Sequence, residues 1–386
     1  MTEMVHGAGV ARPAEPLLPA WWRTVDRWSL TAVFALFLLG LLLGLAASPP
    51  LADRNGLAPF HYVTRQAVFG AVALFAMLVV SMMPIERIRR LAILGFLASV
   101  VAIALLPVLG TDFGKGATRW YSLGFASVQP SEFLKPAFVI FAAWMMAASA
   151  DRTGPPGKTL ALIAAVIVAA MLALQPDFGQ ASLVLAVWGV MYFVAGAPMA
   201  LLMALAGCVL AAGVFAYGNS EHFARRIDAF LAPVDDPNSQ LAYATNAIRE
   251  GGFFGVGVGE GEVKWRLPDA HTDFIIAVAA EEYGLLLVVL IMGLFLAIVL
   301  RAFARLMRER DPFIRLAGTG LAALLGLQAF INLGVAVQLL PAKGMTLPFI
   351  SYGGSSVVAA GLALGMLLAF TRRRPQNDLG DVLGAA

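Results

Sequence analysis

Runs of about twenty apolar residues recur along this chain, and they constrain its fold more than any other feature. They fall at roughly 28–48, 66–84, 91–109, 131–149, 159–175, 180–197, 199–217, 274–300, 314–337 and 349–370. In hydrocarbon every backbone N–H and C=O must find its partner inside the protein, so segments of this length read as membrane-spanning helices. The expected fold class is therefore all-α, a polytopic integral membrane protein with ten transmembrane helices. Only 13% of the residues are charged against 60% hydrophobic, whereas a soluble domain is about one-quarter charged. The surplus apolar surface faces membrane lipids.

Several function classes drop out. A net charge of +3 on a chain whose basic residues have a topological task implies no nucleic acid partner. Cys208 stands alone inside an apolar run, which excludes a disulfide framework and a thiol metal site. The four histidines are scattered, against a His-based metal centre. The first twenty residues lack a basic stretch followed by an apolar core, so no cleaved signal peptide is expected.

Charge asymmetry sets the orientation. Arg87, Arg89, Arg90, Arg152, Lys158, Arg301, Arg305, Arg308, Arg310, Arg315 and Arg372 fall on the N-terminal side, mostly in short loops, where the positive-inside rule has its force. Both termini are then cytoplasmic. The chain divides into an arm (1–27) ending in the interfacial WWRTVDR, a ten-helix membrane domain (28–370), and a polar tail (371–386) that is expected to be disordered. Three segments, 110–135, 218–272 and 338–356, are external and unusually polar. Loops much beyond about 15 residues are usually functional. The large loop between helices 7 and 8, at 218–272, carries two helical stretches, EHFARRIDAFLAP and QLAYATNAIRE, expected on the outer leaflet.

Four motifs carry chemistry. In GKGATRWYSLGFASVQPSEFLK (114–135), Lys115 and Arg119 are surface cations and Trp120 an interfacial aromatic. Ser131 is placed to cap the next helix, Glu132 suits its positive end, and Lys135 faces Glu132 one turn on. Such a pair entering a membrane is costly without a function. In QPDFGQ (175–180), Asp177 reads as the cap of the helix that follows. In GGFFGVGVGEGEVKWRLPDAHTDFIIAVAAEEYG (251–284), the glycines lack the strand and Gly-Lys-Ser/Thr of a nucleotide loop. Lys264 and Arg266 are cations, and Thr272 or Asp273 is a candidate cap for the span. A carboxylate at a water–lipid boundary is also suited to general-base work, which favours Asp273, with His271 hydrogen-bonding beside it. Glu281 and Glu282 lie about 12 Å further along the helix, deep enough that one should pair with a buried cation or polar network. In LLPAKGMTLPFISYGGSS (339–356), two prolines and three glycines describe a broken or re-entrant segment lining a protein-buried cavity. Lys343 marks its outer end, Ser351 and Ser355 offer hydrogen bonds, and Gly353 and Gly354 suit close helix packing. Asn332 and Gln338 precede this segment.

QPSEFLK, LPDAHTDFIIAVAAEEYG and KGMTLPFISYGGSS, in that order on a ten-span pattern, resemble the signature segments of the SEDS (shape, elongation, division, sporulation) family across residues 25–373. PAKGMTLPF is more similar to the division type, FtsW, than to the elongation type, RodA. Thr118 departs from the pattern, standing where many members have a second basic residue. The resemblance implies a peptidoglycan glycosyltransferase that polymerises lipid II at the septum of the bacterial inner membrane, with the family's essential aspartate falling on Asp273. It also implies a class B penicillin-binding transpeptidase of the FtsI type as partner, with other divisome membrane proteins. The external cations Lys115, Arg119, Lys135, Lys264 and Lys343 are then candidates for the diphosphate. No cofactor is demanded, although a divalent cation (magnesium or manganese) bridging diphosphate and Asp273 is compatible with the residues. A lipid II flippase and a non-catalytic divisome scaffold are the rival readings.

Overall fold

The computed structural model describes residues 16–112, 118–124, 126–149, 154–231, 240–267, 270–341 and 344–373. Its helices are α1 (Leu17–Thr24), α2 (Arg27–Arg54), α3 (His61–Met82), α4 (Ile85–Leu109), α5 (Pro130–Ala148), α6 (Gly157–Leu174), α7 (Phe178–Val194) and α8 (Met199–Asn219). They continue with α9 (Glu221–Leu231), α10 (Gln240–Gly251), α11 (Val263–Arg266), α12 (Ile275–Leu306), α13 (Pro312–Ala336) and α14 (Gly354–Phe370). A two-stranded antiparallel hairpin, β1 (Tyr121–Ser122) with β2 (Ser127–Val128), precedes α5.

Among the described residues eight helices are long and apolar enough to cross a membrane, and the chain is a multi-pass membrane protein. Two further apolar helices, α7 and α14, are shorter. The centre is built from α5 and α13, whose apolar stretches are the most buried of the eight. Around them pack α4, α6, α7, α12 and α14, with α2 joined to the bundle through α12 and α3 through α14. By contrast, α8 buries none of its residues. The two helical stretches foreseen in the large loop are α9 and α10, but α10 packs on α12 with Ala244 and Ala247 fully buried.

Several helix boundaries differ from expectation, among them the starts of α3 at His61 and of α4 at Ile85 and the end of α12 at Leu306. The span read at 28–48 continues through Pro49 and Pro50 to Arg54. The span read from 349 begins at Gly354, because Phe349 has a φ of 63°, outside the helical region. Most consequentially, α12 is not continuous: Gly284, with φ 79° and ψ −179°, breaks it. The glycine-rich stretch fills the break. Leu285 N–H donates to the Gly252 carbonyl at 2.9 Å, and Val256 N–H donates to the Glu281 carbonyl at 2.8 Å. A Cβ at Gly284 would run into the Phe253 carbonyl, and its φ is one that L side chains rarely adopt. So the glycine motif pairs backbone to backbone with a broken membrane helix.

The Arg301 end of the bundle is held differently. Asp26 caps α2 and is 2% exposed, with Arg301 Nη2 at 2.9 Å and Arg305 Nη2 at 3.2 Å. Trp21 of α1 donates its indole N–H to Ser81 at 3.0 Å, and Arg373 N–H donates to the Thr24 carbonyl at 3.0 Å. Burial alone would push the Asp26 carboxyl up, but Arg301, Arg305 and Ser29 together hold it below the usual carboxylate value. Regular helix ends and matched charge make this end.

Candidate active site at the Asp273 end

Asp273 lies in the turn just before α12 and is half-buried. Neither Asp273 nor Thr272 stands at the N-cap position, which is taken by Phe274, whose side chain makes no cap hydrogen bond. The expectation of a capping role is corrected on that geometry. The carboxylate instead faces another segment. An ideal Cβ on Gly344 would lie 3.6 Å from Asp273 Oδ2, and Gly344 has a φ of 61°. Glycine there lets backbone approach the carboxylate without strain, while the start of α12 favours the anion.

The facing segment, between α13 and α14, is irregular and mostly buried, with Met345, Leu347, Phe349, Ile350 and Ser351 each at most 3% exposed. Buried non-helical backbone needs partners for its carbonyls, and side chains supply them. Asn332 Nδ2 donates to the Met345 carbonyl at 2.8 Å and to the Asp273 carbonyl at 3.1 Å. Gln328 Nε2 donates to the Thr346 carbonyl at 2.8 Å, and Gln66 Nε2 to the Ile350 carbonyl at 3.1 Å. Ser351 Oγ donates to the Thr272 carbonyl at 2.6 Å and accepts from Leu347 N–H at 2.8 Å. Tyr352 N–H donates to the His271 carbonyl at 2.9 Å. The turn 271–273 and the segment 344–352 are therefore one stitched unit.

The first motif joins the same unit. Gln129 N–H donates to Ser355 Oγ at 3.2 Å, and Gly354 at the start of α14 packs on the Phe69 ring. Beside Ser355, Gly353 lies close to Ser356. Pro130 starts α5, and Gln129 at the N-cap makes no side-chain bond. Ser131 is therefore not the cap, and its hydroxyl has no partner among the described residues. Glu132 lies 2.9 Å from Lys135, both buried, and accepts from Gln180 Nε2 at 2.8 Å. A cavity of about 30 Å³, room for one water, opens where Glu132, Lys135, Gln328 and Ser356 meet. Arg119 donates to the Gln175 and Pro176 carbonyls, each at 2.9 Å, and so binds the hairpin region to the α6–α7 turn. Trp120 pairs its backbone with Thr111. Asp177 caps α7 by accepting from Gln180 N–H at 3.4 Å. Burial pushes the Asp177 carboxyl up, and Arg119 and the Gln180 N–H offset only part of that.

Glu281 and Glu282 are each 1% exposed, just before the break in α12. Glu282 accepts from Lys264 Nζ and from Gly259 N–H, and Glu281 accepts from Glu262 N–H at 2.8 Å. Lys264 is 6% exposed, and its ammonium is committed to Glu282 and the Gly259 carbonyl. This places Lys264 with the buried support, not among the exposed cations where the sequence put it.

Tyr62, which the sequence did not single out, joins two rings of the motifs beside the turn. Tyr62, His271 and Tyr352 have centroids 5.3 to 6.0 Å apart, and Arg65 lies within electrostatic reach of Tyr352. The sequence signal for Tyr62 and Arg65 was weak, since aromatics and arginines at a helix start read as an interfacial anchor. Lys115, Lys343, Asp269 and Pro268 lie outside the described residues, as do Arg12, Arg152 and the tail beyond 373.

The comparisons agree with one another. A family model described as the FtsW/RodA/SpoVE cell cycle protein matches residues 27–376. A probable peptidoglycan glycosyltransferase FtsW from Caulobacter vibrioides is 43% identical over 366 residues, 95% of this chain and 94% of that protein. Its counterpart from Halorhodospira halophila is 37% identical over 94% of this chain and 93% of that protein. Among solved structures, one describing how a peptidoglycan synthase complex coordinates polymerization and crosslinking shares 30% identity with TM-score 0.75, covering 90% of this chain and 97% of that one. The rod shape determining protein RodA of Thermus thermophilus shares 28% identity with TM-score 0.67, covering 91% of this chain and 97% of that one. With nearly its whole membrane region matched and its motifs gathered at one end of the bundle, the chain belongs to the FtsW/RodA/SpoVE family of cell cycle proteins.

Proposed function

We propose that the chain is a peptidoglycan glycosyltransferase that polymerises lipid II during septal wall synthesis, with Asp273 as general base. The observation that carries the reading is the setting of Asp273: a turn just ahead of the N-cap of α12, a carboxylate against Gly344, and a main chain gripped by Asn332. The base takes the proton of the acceptor sugar's 4-hydroxyl. The freed oxygen attacks the donor's anomeric carbon with inversion as the bond to phosphate breaks. Undecaprenyl diphosphate leaves as an anion that needs no proton, so one carboxylate suffices where a glycosidase needs an acid as well. Charge developing on the diphosphate calls for cations. Arg119 retains N–H donors after binding two carbonyls, and Lys115 and Lys343 belong by sequence to the first and fourth motifs. Lys135 and Lys264 act within the buried ion pairs. Among the described residues no group of three His, Cys, Asp or Glu side chains is placed to hold a metal. A divalent cation at this site would therefore be shared by Asp273 and the substrate's own diphosphate.

The reading includes ten spans, with α7 and α14 completing the eight longer helices, and with both termini in the cytoplasm of a bacterial inner membrane. Supporting it, α12 runs from the Asp273 turn through the break at Gly284 to Arg301 and Arg305, its part beyond the break alone rising about 33 Å, and the positive-inside rule puts the arginines in the cytoplasm. The partner of this reading is a class B penicillin-binding transpeptidase. An apolar groove of about 590 Å³ along α12 and α13, lined by Val289, Met292, Leu296, Phe330 and Leu333 among others, would take its single transmembrane helix. Its likeness to a chain from a peptidoglycan synthase complex supports that choice. Polymerisation of purified lipid II by the purified protein, with and without the transpeptidase, tests the function. Correctly folded protein that forms no glycan strands in either setting would overturn it.

A further inference from the structure

We infer that Asn332 is a positioning residue for the reaction: one side-chain amide locks the main chain of Asp273 to the segment that faces its carboxylate. Asn332 is 2% exposed near the end of α13. Its NH2 group donates to two carbonyls on separate stretches of chain, Asp273 at 3.1 Å and Met345 at 2.8 Å. Two carbonyl acceptors can be met only by the NH2 side of an amide, so the neighbours fix which way the group points. The residue after Asp273 enters α12, and the residue before Met345 is Gly344, against Asp273 Oδ2. The amide thus sets the distance between the carboxylate and the backbone opposite it.

Two comparisons within the molecule single this amide out. Gln328, one turn earlier on α13, donates to Thr346, and Gln66 donates to Gly40 and Ile350. Neither of those bonds reaches the Asp273 turn. Ser351 reaches Thr272 from the other side, so the turn is gripped at 272 and 273 by groups from different elements. The grip also has a cost. Asn332 Oδ1 is buried without a hydrogen-bond partner among the described residues, and an unmet buried acceptor costs about 1–3 kcal/mol. A residue selected for packing alone would shed that penalty. Misplacement of a catalytic group by about 1 Å can cost about 100-fold in rate, so holding this geometry is worth the unmet oxygen.

This inference rests on Asp273 being the base, and the test separates the two. Full-length Asn332→Leu and Asn332→Asp proteins, both close in shape and lacking the amide donors, are compared with wild type and with Asp26→Asn at the opposite end. Lipid II polymerisation gives kcat and KM, and hydrogen exchange follows residues 270–274 and 344–347. The expected result is a 10- to 100-fold fall in kcat with KM within threefold, and faster exchange in both segments together. Asp26→Asn serves as the stability control, with a lower Tm and wild-type kcat. If one Asn332 variant does not fold, the other carries the measurement, and failure of both to fold while Asp26→Asn folds would assign Asn332 to stability alone and overturn the inference. A folded Asn332 variant with kcat within threefold of wild type, or with unchanged exchange in either segment, would overturn it as well. Wild-type polymerisation by Asp273→Asn would instead sink the base assignment, and the positioning role with it.

Discussion

At the Arg301 end of the bundle a buried carboxylate meets two guanidinium groups across regular helix ends, while at the Asp273 end buried charge and amides hold backbone that is not helical at all. Asp26 caps α2 and pairs with Arg301 and Arg305. Glu281, Glu282 and Lys264 hold the glycine loop into the break at Gly284, and Asn332, Gln328 and Ser351 hold the irregular segment against Asp273. The first arrangement closes a bundle. The second holds the Asp273 turn in a fixed shape at the price of a broken helix and unmet polar atoms, which is what pre-organisation for chemistry requires.

That contrast breaks most readily at the buried pair beneath the site. Glu282→Gln leaves the Lys264 ammonium buried without its counter-charge, and such removals cost about 3–5 kcal/mol. A large fall in Tm and loss of polymerisation are expected together. Gly284→Ala comes next: the new methyl meets the Phe253 carbonyl, and this positive-φ extended conformation costs a non-glycine residue about 1–3 kcal/mol. Protease access or exchange at 252–257 should rise, with activity falling as the turn ahead of α12 loosens. Asp26→Asn, with Arg301 partly exposed and screened, should cost about 1–2 kcal/mol and leave kcat at wild type.

The two ends should also differ in the sign of their pH response. Asp26 has its carboxyl held low, so its contribution is fully present above the ordinary carboxylate value of about 3.9 and is lost as pH falls through its lower folded value. Asp26→Asn should remove that acid-side loss from the Tm profile. Asp177 has its carboxyl raised by burial, so its penalty is absent below about pH 3.9 and fully present once pH exceeds its folded value. Asp177→Asn keeps the cap and should be neutral or stabilising by under about 1 kcal/mol, most at high pH. A fall in Tm that grows with pH would contradict the assignment.

Much of this arrangement was legible in the chain itself. The apolar runs announced the helices, and polar residues at membrane depth marked the segments that converge. Glu281 and Glu282 inside an apolar run implied a buried cation, although Lys264 as that cation was read for a different task. What escaped has physical reasons. Thr272 and Asp273 ahead of an apolar helix look like a cap, and only the backbone shows Phe274 in that position. Gly284 in such a run looks like a packing glycine, since its clash with the Phe253 carbonyl depends on a loop thirty residues earlier in the chain. Asn332 stood out as polar, but its two acceptors lie 59 and 13 residues away.

The groove along α12 and α13 tests the partner half of the account. Gly293→Leu fills it from a position with no neighbour within 4 Å of a new Cβ, so the fold should persist while transpeptidase binding weakens by tenfold or more. The central claim rests on a single carboxylate, and the direct measurement is lipid II polymerisation by purified Asp273→Asn beside wild type. The account predicts a loss of at least about 100-fold in kcat, with Tm and transpeptidase binding unchanged. Polymerisation at the wild-type rate by folded Asp273→Asn protein would contradict it.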